Sequence, residues 1–84
     1  MSEPSADVRV VVYSKPGCHL CEVAEATIEQ LCGELGVGWQ RVNILDDPAL
    51  FATYGEQIPV TFVDGKQHDF WRVDPARLRA ALAR

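Results

Sequence analysis

Basic clusters and long apolar runs are both missing from this chain. Lysine and arginine number eight against twelve aspartates and glutamates, a net charge of −4 over 84 residues. With no basic run and no aromatics interleaved among cations, the composition argues against a nucleic-acid surface. No stretch approaches the roughly 20 apolar residues of a membrane-spanning helix. Met1 to Asp7 is polar and lacks the apolar segment of a secretory signal. Cysteine is scarce and odd in number, and three cannot close a disulfide framework. Repeats, linkers and low-complexity segments are also wanting. These absences leave a single domain over 1–84, frayed at 1–7, in a reducing compartment read as the cytoplasm, with neither nucleic acid nor membrane as partner.

What is present centres on Cys18-His19-Leu20-Cys21. The preceding Val8 to Tyr13 is β-branched and nearly continuous, which predicts a buried central strand. Ser14, Lys15, Pro16 and Gly17 are turn residues, and a helix follows. Cys18 therefore falls where a strand ends and a helix begins, and a C-x-x-C beside a βαβ pattern points to a redox dithiol. The spacing suits that chemistry. A thiolate attacks a substrate disulfide and a second thiol resolves the mixed disulfide, and residues i and i+3 share one side of a helical turn. A helix N-terminus favours an anion by about 0.3–2 kcal/mol. Cys18 is the expected nucleophile and Cys21 the resolving thiol, with Lys15 and His19 as cations favouring the thiolate.

Metal binding is the main competing chemistry. Zinc takes four ligands, and besides the pair only Cys32, His19 and His68 remain. On one helix, Cys21 and Cys32 would lie about 16 Å apart along the axis, so no metal site is expected within one chain. A dimer sharing a metal or iron–sulfur cluster through Cys18 and Cys21 of each copy is the alternative binding module. An adaptor with idle thiols is another.

Along the chain, Leu20, Ala24, Ile28, Leu31 and Leu35 predict a helix over about 19–35, ending near Gly36. Cys32 sits at the edge of that stripe as a small, semi-buried hydrophobe. Residues 38–44 alternate as a second strand. Asp47-Pro48 starts a short helix over about 48–54, with Leu50, Phe51 and Tyr54 inward. Residues 58–63 form a third strand, and Asp64-Gly65 turns into a fourth over about 66–71. Phe70 and Trp71 read as core in preference to an aromatic rim, and His68 as a surface residue. Asp74-Pro75 starts the last helix, whose apolar side is Leu78, Ala81 and Leu82. The order is βαβαββα: an α/β chain with a mixed four-stranded sheet and helices on both faces.

Tyr13-Ser14-Lys15-Pro16-Gly17-Cys18-His19-Leu20-Cys21, together with Ile58-Pro59-Val60, resembles the glutaredoxin branch of the thioredoxin fold over nearly the whole chain. Cys-His-Leu-Cys in so short a chain is most similar to a small glutaredoxin-like group. The resemblance implies a cis bond at Pro59 beside Cys18. It also implies that the backbone of Ile58 pairs with an extended thiol-bearing substrate. Expected partners are a protein or small-molecule disulfide and, as electron donor, a reductase or a low-molecular-weight thiol such as glutathione; the chain is expected to act as a monomer. The dithiol itself suffices, so no dissociable cofactor is expected.

Two departures stand out. Where thioredoxin carries a buried acid, this chain has Val12. The Gly-Gly pair before the last helix of glutathione-binding glutaredoxins is absent: one register places Asp69 and Phe70 there, the other Arg72 and Val73. A β-carbon hinders close backbone approach of a ligand carboxylate. Glutathione is therefore expected to be a poor donor, with Arg72 reading first as an exposed side chain and second as a substitute contact.

Overall fold

The β-branched run Val8–Ser14 forms strand β1, flanked on both edges by other strands. The structure is a computed structural model describing residues 8–83, and the fraying expected at 1–7 lies outside the described residues. After β1 come α1 (His19–Leu35), β2 (Gly38–Asn43), a 3-10 turn (Ile44–Asp46), α2 (Pro48–Tyr54), β3 (Val60–Val63), β4 (Lys66–Phe70) and α3 (Pro75–Leu82). The sheet order is β2-β1-β3-β4. β2 runs parallel to β1, while β3 is antiparallel to both β1 and β4. This is the expected βαβαββα α/β architecture. The second strand stops at Asn43, whose Oδ1 accepts from Leu45 N at 2.9 Å and opens the 3-10 turn. The third begins at Val60 rather than Ile58.

Alternation along β1 divides the core in two. Val10 and Val12 pack with Val63 under Ile28, Leu31 and Cys32 of α1 and Leu78 and Leu82 of α3. On the other face Tyr13, Phe62 and Tyr54 stack, with ring centroids 4.8 to 5.9 Å apart. There they join Leu50 around Ile44, Ile58 and Val60.

The buried face of α1 differs from the expected stripe. Cys21, Ala24, Ile28, Leu31 and Cys32 are buried, whereas Leu20 and Leu35 are exposed. Packing of α3 alongside α1 widens the covered arc towards Cys32, which at 1% exposure is fully in the core rather than semi-buried. Phe51 is exposed too, because α2 is only two turns long and spends its inward positions on Leu50 and Tyr54. Phe70 and Trp71 are surface residues, not core: β4 is the edge strand and no element covers them. His68 departs in the opposite sense. It is half-buried on β4, and its Nε2 is enclosed without a hydrogen-bond partner among the described residues.

Local chemistry sets the turns. Asp47 and Asp74 cap α2 and α3, each Oδ1 accepting an N–H at 2.9 Å, with proline following each cap. The hairpin takes left-handed φ at both Asp64 (52°) and Gly65 (83°), as a two-residue primed turn requires. Arg9 then ties the hairpin to β1 and α3. Its Nε and Nη2 donate to the Asp64 carboxylate at 2.9 Å each, and its Nη1 donates to Leu82 O at 3.1 Å. The pair holds Asp64 below and Arg9 above their ordinary pKa values, chiefly through those side-chain hydrogen bonds.

Candidate redox site

Cys18 is the N-cap of α1, with extended backbone (φ −97°, ψ 111°). Gly17 immediately before it takes φ 78°, which a β-carbon would strain. Cap geometry aims the Cys18 side chain back across the helix start, where its Sγ accepts from Cys21 N at 3.3 Å. Sulfur thus occupies the place of the oxygen in an ordinary N-cap. Cys18 is half-buried and packs against Cys21, Ile44, Ile58 and Val60.

Cys21, one turn deeper, is only 1% exposed. Burial first, and then the hydrogen bond to Cys18, push its thiol up to about 12; a backbone hydrogen bond from Lys15 pulls the other way, and the charges of Cys18 and Glu25 add to the rise. Cys18 sulfur is therefore the acceptor and Cys21 the neutral donor. All three cysteines are free thiols. Burial also raises Cys32, on the far core cluster with Val10 and Leu78.

The structure brings four of the six expected site residues together: Cys18, Cys21, Ile58 and Pro59. The Ile58–Pro59 bond is cis. Ile58 lies in the cluster against which Cys18 packs. Neither its N–H nor its C=O takes a hydrogen-bond partner among the described residues. Lys15 touches the pair through its backbone, at Cys21, and its side chain is exposed, as is His19. No group of three or more His, Cys, Asp or Glu among the described residues is placed to hold a metal. No helix there is long and apolar enough to cross a membrane.

Two residues near the site take places that the sequence did not indicate. Trp71 has φ 65°, a left-handed value in a non-glycine residue. Its N–H donates to Pro59 O at 2.8 Å, its Nε1 to Glu56 O at 3.0 Å, and Arg72 N closes onto Phe70 O at 2.7 Å around it. Neither register counted for the missing glycines points to position 71. The bulge between Thr61 and Phe62 in the β3–β4 pairing shifts the count. Glu25, on α1, is only 14% exposed at its side chain and pairs with Arg41 of β2 at 3.0 Å.

A dithiol at the start of the first helix, packed with the residue that precedes a cis-proline and an antiparallel strand, defines a thioredoxin-fold protein. The chain superposes on a thioredoxin from Halobacterium salinarum with TM-score 0.61 at 24% identity, over 88% of this chain and 70% of that one. More narrowly, the glutaredoxin-like domain (DUF836) matches residues 9–83, and the chain belongs to that family. It is similar to a protein from X. campestris solved by X-ray diffraction, at 35% identity and TM-score 0.72, over 88% of this chain and 95% of that one. It is also 33% identical to an uncharacterized Mycobacterium tuberculosis protein over 89 residues, covering 100% of this chain and 88% of its relative.

Proposed function

We propose that this chain is a thiol–disulfide oxidoreductase that uses Cys18 and Cys21. The observation that carries the reading is the inequality of the two thiols. Cys18 caps the helix, half-open to solvent, with its sulfur accepting the Cys21 N–H, while Cys21 is buried and held neutral. The Cys18 thiolate attacks a substrate disulfide, breaking its S–S bond and releasing one substrate thiolate. Cys21 then displaces the second substrate sulfur from Cys18, leaving the Cys18–Cys21 disulfide and a fully reduced substrate. The helix N-terminus, through the Cys21 N–H, faces the attacking sulfur. The free backbone groups of Ile58, beside cis-Pro59, pair with the substrate chain on either side of its sulfur.

The test is a coupled NADPH assay run in parallel with glutathione and its reductase and with a thioredoxin reductase. Disulfide reduction is expected with at least one donor. Cys18→Ser abolishes it, and Cys21→Ser accumulates a mixed disulfide at Cys18 visible by mass spectrometry. A Cys18→Ser variant as active as the parent would refute the reading.

A further inference from the structure

Cys21 must lose a proton before it can attack the mixed disulfide, yet only 1% of its surface is exposed. Val12, at the position of thioredoxin's buried acid, is itself fully buried among Val10, Ile28 and Leu31 and offers no acceptor. A cavity of about 300 Å³ opens between the β1–α1 loop, α1 and β2, and Cys21, Glu25 and Arg41 all line it. At roughly 30 Å³ per molecule of liquid water, this is room for several. Glu25 lies four residues after Cys21, on the same side of the helix. Its carboxylate is largely covered and fixed by Arg41 at 3.0 Å. Glu22 also lines the cavity but is exposed.

We propose that Glu25, held by Arg41, is the proton acceptor for Cys21 in the resolving step, working through water in this cavity. This deepens the dithiol reading and rests on it. The Cys21 S–H proton passes to the Glu25 carboxylate as Cys21 Sγ attacks Cys18 Sγ. The Cys18–Cys21 bond forms, the bond from Cys18 to the substrate sulfur breaks, and the electron pair leaves on the substrate thiolate, which then takes up a proton. The dithiol is oxidised and the substrate disulfide reduced. The charged and titratable groups around Cys21 are Lys15 from the loop, Cys18, Glu22 and Glu25 from the start of α1, Arg41 from β2, and Tyr13 and Tyr54 on the opposite side. Of the two carboxylates, that of Glu25 is the covered one and that of Glu22 is exposed.

The test separates attack from resolution. A symmetrical aromatic disulfide with a coloured thiolate is mixed with the reduced protein in stopped flow. The first equivalent of colour reports attack by Cys18 and the second reports resolution by Cys21. In Glu25→Gln the first phase should stay within about twofold of the parent, while the second slows by roughly tenfold or more near neutral pH. That gap should close as pH rises and hydroxide takes over, and Glu25→Asp should recover most of the lost rate. An unchanged second phase in Glu25→Gln, an equal slowing of both phases, or an aspartate variant as slow as the glutamine one overturns the assignment of Glu25 and leaves the dithiol reading standing. A parent protein that releases only the first equivalent overturns both.

Discussion

Cys18 and Cys21 differ by one helical turn and by most of what a thiol responds to. Cys18 has an N–H donor and partial access to solvent, whereas Cys21 has a raised pKa and almost none. Limiting iodoacetamide at neutral pH should therefore label Cys18 roughly tenfold or more ahead of Cys21 and Cys32, as peptide mapping would read. Preferential labelling of either buried thiol would reverse the assignment of nucleophile. Cys32 makes a separate test. Fully enclosed by apolar neighbours, it leaves a serine hydroxyl there without water, at a cost of about 1–3 kcal/mol. Cys32→Ser should lower the melting midpoint, by roughly 4–8 °C per kcal/mol in a domain of this size. Cys32→Ala should leave turnover near that of the parent, since position 32 lies in the cluster away from Cys18.

Elements carry the pH dependence and the remaining polar defect. In α1, both Cys21 and Cys32 are raised in the folded chain, mainly by burial. Below about pH 8.5 the thiols are neutral in the folded and unfolded chain alike, and the stability they contribute is fully present. Above it the unfolded chain ionises first, so stability falls as pH climbs towards about 12 for Cys21. Urea midpoints measured in reductant should drop between mildly and strongly alkaline buffer, and a Cys21→Ala/Cys32→Ala variant should show a flatter profile. In β3, Thr61 is completely buried and its Oγ1 has no hydrogen-bond partner among the described residues. Thr61→Val keeps the shape and removes the unpaired hydroxyl. The variant should gain on the order of 1 kcal/mol in denaturant unfolding.

At the scale of the whole molecule, the β4–α3 corner meets the cis-proline segment through Trp71, and the expectation about the electron donor belongs there. A glycine would hold φ 65° without penalty, whereas a tryptophan does so at about 1–3 kcal/mol. The indole, 53% exposed and edge-to-face with Phe70, stands where the chain hydrogen-bonds Pro59 O. A ligand carboxylate approaching backbone N–H groups at this corner would meet the indole, and the expected donor is a reductase or another small thiol rather than glutathione. Glutathione should support only weak turnover in the coupled assay, and Trp71→Gly should raise it severalfold without a matching gain for a reductase donor. Efficient, saturable turnover of the parent with glutathione at low millimolar concentration would refute this account.

Much was legible in the sequence because it was written in local chemistry. The β-branched run of β1, the aspartate–proline starts of α2 and α3, the Asp64-Gly65 turn and the C-x-x-C at a strand–helix junction each depend on near neighbours in the chain. Those neighbours set backbone dihedrals and caps whatever surrounds them. What the tertiary structure alone decided depends on residues far apart in sequence. Cys32 is buried because α3 packs beside α1, and Cys21 because Ile44, Ile58 and Val60 close on it, while Leu20 and Leu35 stay exposed. The cover over Glu25 comes from Arg41, sixteen positions away, and the clasp on Asp64 from Arg9, fifty-five away. Trp71, left-handed at the end of β4, hydrogen-bonds the carbonyl of Pro59, twelve positions back on the neighbouring segment. Periodicity places a residue on a face of its own helix or strand; only packing between elements determines which face is covered, and with it which thiol is buried and which carboxylate stands behind it.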